Sequence, residues 1–178
     1  MTEFPLYALS GYNKALGIFN NTIFVAGKAM GIIMLKGIPK YISPDLLKYL
    51  AEMGHGDELV IADGNFPAQR IGKNAHVVRA DGHGVPEILD AILELIPLDT
   101  YVDRPVALMQ VCDGDTCGTP AIWQDYNDIL QKHEPDNHEI EYVERFAFYD
   151  RAKDAQLIIA TGEEAIYANV ILKKGVVK

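Results

Sequence analysis

Residues 43–64, SPDLLKYLAEMGHGDELVIADG, decide the fold class, because a helix with its start signal runs straight into a buried strand. Ser43 offers a hydroxyl to free helix amides, Pro44 fits the first turn, and Asp45 suits the positive dipole end. Leu46, Leu47, Leu50 and Met53 then repeat at helical spacing, and Gly54 reads as a left-handed stop. His55 follows the helix end. Leu59, Val60 and Ile61 form a continuous apolar run, the pattern of a strand covered on both faces, with Asp63 at its exit.

The same alternation continues outward. Val77 and Val78 suggest a strand before the turn Asp81-Gly82-His83-Gly84, and Val85, Ile88, Leu89, Ile92, Leu93 and Ile96 trace an amphipathic helix closed by Pro97. Asp99 falls in the loop beyond it. Strands are expected at 106–111, 140–143, 157–160 and 170–172, and helices at 122–130, with Trp123 and Tyr126 on the apolar side, and at 145–152. This predicts an α/β fold, a single layered domain with a largely parallel central sheet flanked by helices. At 178 residues the chain suits one such unit. Its boundaries are read as 34–178, with residues 1–33 an N-terminal extension and Met34 a natural start; a chain beginning there is expected to fold and act alone.

Composition removes several function classes. Sixteen Lys and Arg against 25 Asp and Glu give −9, which repels nucleic acid. No run of about 18 uncharged apolar residues provides a membrane span, and Glu3 with Asn20 and Asn21 makes a poor signal peptide. The two cysteines, Cys112 and Cys117, have no second pair to complete a zinc site and suit free thiols in a reducing cytoplasm. A phosphate-binding loop, a serine elbow and a zincin helix are all missing from the sequence. Asp113 and Asp115 resemble the opening of a calcium loop, but its twelfth position is Gln124 instead of a bidentate Glu. No metal or cofactor is expected.

What remains is a set of polar side chains at element ends. His55 stands between Gly54 and Gly56, which leave an imidazole room to meet a ligand, and its ordinary pKa of about 6.5 suits acid or base work. A structural loop histidine is the alternative. Asp63 is placed to bind hydroxyls or to orient His55, or else to cap a turn. Arg145 and Tyr149, four apart, share a helical face and suit a polyol; an exposed Arg beside a half-buried Tyr is the plainer reading. Tyr167 and Asn169 lie on one side of the last strand and offer a ring, a hydroxyl and an amide, or merely edge hydrogen bonds.

Longer strings narrow the choice. MLKGIPKYISPDLLKYLAEMGHGDELVIADGNFPA at 34–68 resembles the start of the L-fucose mutarotase family, relatives of the D-ribose pyranases. VVRADGHG, PLDTY at 97–101, ERFAFYDRAKDA at 144–155 and ATGEEAIYANVILKKGV at 160–176 continue the likeness across 34–178. The resemblance implies a ribose pyranase/fucose mutarotase-like fold and a cytoplasmic, cofactor-free isomerase that interconverts the α and β anomers of L-fucose through ring opening, with pyranose–furanose exchange as a side activity. It implies that His55 is the proton donor and Tyr149 a second catalytic or sugar-contacting group. Substrate contacts are implied for Asp63, Asp99, Arg145, Tyr167, Ala168 and Asn169. Ala168 departs from the family, which often has Gly there. Homo-oligomers up to decamers of stacked five-membered rings are also implied, and the apolar 170–177 segment suits burial against a neighbour. The reading from another class is a non-catalytic monosaccharide-binding or regulatory module using the same pocket.

Overall fold

The computed structural model describes residues 35–177, together with two short antiparallel strands, β1 (Ile18–Phe19) and β2 (Thr22–Ile23). The rest of the expected extension 1–33, and Met34 after it, lie outside the described residues. Residues 35–177 form a six-stranded sheet with helices on both faces. In chain order its elements are α1 (Pro44–Glu52), β3 (Glu58–Ala62), α2 (Ala68–Ile71), β4 (His76–Ala80), α3 (Val85–Leu93) and β5 (Val106–Met109). They continue as α4 (Ile122–His133), β6 (Ile140–Val143), α5 (Arg145–Ala152), β7 (Leu157–Thr161) and β8 (Val170–Lys173). Among the described residues no helix is long and apolar enough to cross a membrane.

The strand order is β4-β7-β3-β8-β5-β6, and every neighbouring pair is parallel except those made by β8. The largely parallel sheet expected is found, with five strands running one way and β8 alone reversed near its centre. The short 162–169 connection explains the reversal, since a parallel return needs a crossover of about a dozen residues or more. β8 thus starts where β3 ends: Ile61 faces Val170, and Glu58 faces Lys173. One core packs Leu59, Ile61 and Leu172 with residues of α1, α3 and α4; the other packs Val60, Ile158 and Ile171 with α2 and α5. Residues 59–61 are fully buried, as their unbroken apolar run predicts.

Several element ends differ from the sequence reading. Ser43 Oγ accepts the Leu46 N–H at 3.2 Å, as a cap should. Gly54, however, is not the left-handed stop. Met53 is already extended, the Gly54 N–H donates to Asp57 Oδ2 at 2.7 Å, and the left-handed residue is Gly56, with φ 85°. α3 stops at Leu93, short of Ile96, while α4 runs on to His133, where Lys132 and His133 meet Asp90 of α3. The single turn α2 leaves no mark in the sequence, being too short to show a period.

Gly175 fixes the loop before β5 against the end of β8. Its N–H donates to Pro97 O at 2.8 Å, and a Cβ here would overlap the Leu98 carbonyl and press on Asp99 Cα. Gly175→Ala is expected to cost about 1–3 kcal/mol, read as a lower melting temperature. Gly82→Ala, which meets nothing within 4 Å, should melt like the parent.

Candidate active site

Two clusters of polar side chains sit at opposite ends of β3. The first gathers around Asp99, in the loop between α3 and β5. His55 Nε2 lies 3.0 Å from Asp99 Oδ1, which also accepts the Tyr101 N–H at 3.0 Å. The Asp99 backbone is pinned in turn: its N–H donates to Lys173 O at 3.0 Å, and Asn137 Nδ2 donates to its carbonyl at 2.9 Å. Burial pushes the Asp99 carboxyl up, but the Tyr101 N–H and His55 outweigh it and hold the carboxyl below its usual range. The His55 side chain stays 46% exposed, and Nδ1 has no partner among the described residues. A carboxylate on Nε2 holds the ring through that nitrogen and leaves Nδ1 to face a ligand. Tyr101, 72% exposed, stands beside it with ring centroids 5.3 Å apart.

The second cluster is a cleft of about 200 Å³ at the other end, between the exits of β3 and β5, the entry of β8 and the start of α5. Asp63 and Asn169 form its floor. Asn169 Nδ2 donates to Asp63 Oδ2 at 2.7 Å, the Asp63 N–H donates to Asn169 Oδ1 at 3.0 Å, and Asn65 N–H donates to Asp63 Oδ1 at 2.9 Å. Burial, only partly offset by these bonds, pushes the Asp63 carboxyl up. Arg145 and Tyr149 reach in from α5, whose first amides are capped by Glu144; the Arg145 guanidinium lies 4.6 Å over the Phe146 ring.

Tyr167 closes the cleft in a left-handed conformation, φ 57°, uncommon for an aromatic residue. Trp123 Nε1 holds its carbonyl at 2.9 Å, and its hydroxyl donates to Asp115 Oδ2 at 2.6 Å while accepting the Cys112 N–H at 3.3 Å. The bond to Asp115 pushes the Tyr167 phenol up to about 12, so it is protonated at neutral pH.

One cleft therefore gathers Asp63, Arg145, Tyr149, Tyr167 and Asn169. Ala168 is wholly buried behind it, with its carbonyl accepting the Tyr126 hydroxyl at 2.7 Å, so its extra methyl packs into the core. His55 and Asp99 are elsewhere. The five residues of β3 separate them from the cleft by about 16 Å, at about 3.3 Å per residue. The suggestion that Asp63 orients His55 is thus corrected: Asp99 does. Tyr101 and Asp115 escaped the residue-level reading. Tyr101 lay within the PLDTY string, whereas Asp115, in an irregular loop, gave no signal beyond the calcium pattern. Among the described residues no three His, Cys, Asp or Glu side chains converge to hold a metal ion. The cleft offers a carboxylate, an amide, a guanidinium and two phenols, a set that replaces the hydration of a polyol.

Residues 36–177 match the RbsD / FucU transport protein family. The chain is 52% identical over 143 residues to the L-fucose mutarotase of Actinobacillus pleuropneumoniae, covering 80% of this chain and 97% of that protein. It is 48% identical over 149 residues to the human fucose mutarotase, covering 82% and 96%. Among solved structures, FucU from Bifidobacterium longum superposes with a TM-score of 0.77 at 61% identity, over 80% of this chain and all of that one. The fucose mutarotase of Streptococcus pneumoniae in complex with L-fucose gives 0.76 at 51%, over 81% of this chain and all of that one.

The depressed Asp99 carboxyl makes a pH test available. Its folded pKa lies below the unfolded value of about 3.9, so the folded state binds fewer protons and its contribution is complete above that value. It is lost as pH falls through the folded pKa. Asp99→Asn is expected to be less stable than the parent at pH 7, with the gap closing as denaturant unfolding is repeated toward pH 3. A gap independent of pH would remove the charge from the explanation.

Proposed function

The chain belongs to the RbsD / FucU transport protein family, and from that we propose that it is an L-fucose mutarotase, an isomerase exchanging the α and β anomers. The observation that carries this reading is the polar cleft at Asp63 and Asn169, in a fold shared over 81% of this chain with a fucose mutarotase solved with L-fucose. Asp63, Asn169 and Arg145 bind sugar hydroxyls, and the Phe66 and Tyr149 rings, 5.6 Å apart, give the apolar face of the sugar a surface. Carrying protons on both ring nitrogens, His55 gives the one on Nδ1 to the ring oxygen as the anomeric hydroxyl passes its proton to Tyr149 of the cleft and the bond from the anomeric carbon to the ring oxygen breaks; the aldehyde turns and recloses by the reverse transfers. Asp99 holds the imidazole for that step. The two free thiols support a cytoplasmic setting.

The distance between His55 and the cleft supports a further part of the reading. One chain cannot bring both to one sugar, so a neighbouring copy supplies its His55 edge to this cleft. Such a contact is head-to-tail, the kind that closes into rings, and it agrees with a homo-oligomer of up to ten copies.

Saturation-transfer NMR on L-fucose tests the activity: exchange between the anomeric resonances should accelerate with protein, whereas broadening without exchange would leave only a binding module. His55→Ala should lose roughly 10²- to 10⁴-fold of the acceleration. The assembly has its own test. His55→Ala and Arg145→Ala chains, each slow alone, should regain exchange when refolded together, at about a quarter of the parental rate for random head-to-tail mixing. No recovery would place both groups within one chain's site.

A further inference from the structure

The geometry points to a second binding site, for a sugar phosphate, in the cleft between α2 and α5. Only the sugar half of that ligand rests on the mutarotase reading. The cleft measures about 520 Å³, against about 200 Å³ for the one at Asp63. Arg70 of α2, Lys73 of the turn after it and Lys153 at the end of α5 all line it. Asp150 is its one carboxylate among the described residues, and Lys153 already holds that group at 2.6 Å. Arg70 and Lys73 make no ion pair among the described residues.

Anomer exchange gives these cations nothing to do, because L-fucose carries no charge. A chain of net charge −9 has carboxylates to spare, yet Arg70 and Lys73 are left over one cleft without one. Their backbone is tightly built. The Gly72 N–H donates to Ala68 O at 2.8 Å and the Ala75 N–H to Gly72 O at 3.2 Å. A Cβ on Gly72 would press on Val77 and Ile158, so the chain passes close against β4 and β7 here and sets Lys73 and Asn74 at the cleft.

A phosphate monoester fits this set. It carries a charge of about −1.5 to −2 at pH 7, and its oxygens accept from a guanidinium fork, an ammonium and the Asn74 amide together. The remaining wall is aromatic, from Phe146, 62% exposed, and Tyr149. Such rings cover the apolar face of a sugar, which free phosphate would leave bare. Tyr149 also lines the cleft at Asp63, so a sugar phosphate resting on it opposes L-fucose. Phosphoryl transfer to a sugar hydroxyl is the class of reaction that yields such a ligand, and the site thereby reports a product formed after anomer exchange.

Calorimetric titration of the full chain at pH 7 with L-fucose 1-phosphate, whose blocked anomeric oxygen prevents turnover, and separately with inorganic phosphate tests the site. The ester is expected to bind about tenfold more tightly than phosphate. Replacing both cations, Arg70→Ala with Lys73→Ala, should weaken the ester about 100-fold, roughly tenfold for each charged contact. That double variant should keep the parental melting temperature and the parental exchange of L-fucose by saturation transfer. The ester should raise the KM for L-fucose in the parent and not in the variant. Phe146→Ala should weaken the ester and leave phosphate as before, while Lys36→Ala with Lys40→Ala, away from the cleft, should change neither. Ester binding unaffected by loss of Arg70 and Lys73 would place it in the L-fucose cleft and overturn the site. An ester no tighter than phosphate would leave an anion patch only, and a changed assembly size by light scattering in the double variant would give the cations to a neighbouring copy; either result also overturns it. A parent that binds the ester at Arg70 and Lys73 without accelerating L-fucose exchange overturns the mutarotase reading and leaves the site standing.

Discussion

The reversed strand β8 is the constraint on which the rest of the domain depends. It is hydrogen-bonded on both sides, to β3 and to β5, and Val170, Ile171 and Leu172 are completely buried. Its first end delivers Asn169 to Asp63. Its last end gives the Lys173 carbonyl to the Asp99 N–H and the Lys174 carbonyl to the Gly56 N–H, which sets the loop carrying His55. One four-residue strand therefore registers both polar clusters. Moving it by one residue would turn its buried side chains to the opposite face and separate Asn169 from Asp63.

Around the His55 end, charge is organised as a network. Arg151 of α5 donates to Glu58 through Nε and Nη2 at 2.9 and 2.8 Å and to Glu141 through Nη1 at 2.9 Å, and Lys173 lies 3.1 Å from Glu58. Burial pushes the Glu58 carboxyl up, yet Arg151 and Lys173 outweigh it and keep it ionised below the usual range. The planar guanidinium suits this double grip on one carboxylate in a way a lysine cannot match. Helix α5 is thereby tied to three strands, β3, β6 and, through the shared Glu58, β8. The same helix carries Arg145 and Tyr149 to the cleft.

The sequence made most of the fold legible, and the reasons are local. β6 and α5 are legible to the residue because Ile140–Val143 and Arg145–Ala152 carry clear patterns between breaks. The reversal of β8 was not legible, since strand direction follows from connection length and pairing, neither of which the apolar run 170–172 expresses. Helix ends failed where a side chain intervened, as Asp57 does at Gly54. For the site, residue types at strand exits marked Asp63 and Asn169, and helical spacing paired Arg145 with Tyr149. Two things escaped: the separation of His55 from these groups, which is a matter of which end of β3 each occupies, and Asp115, whose partner lies 52 positions away.

Ala168 connects the buried and the exposed halves of this arrangement. Its neighbour Tyr167 spends conformational energy on a left-handed backbone, while Ala168 itself adopts an ordinary one that any residue accepts. An unfolded chain with Ala at this position samples fewer backbone states than one with Gly, so less disorder is lost on folding, a gain of about 0.4–1 kcal/mol. With its methyl settled in the core and its carbonyl held by Tyr126, Ala168 partly offsets the strain next to it. The difference from a glycine-bearing relative would then show in how often the Tyr167 turn opens, and hence in slower amide exchange there, without any change in the surface that a ligand meets.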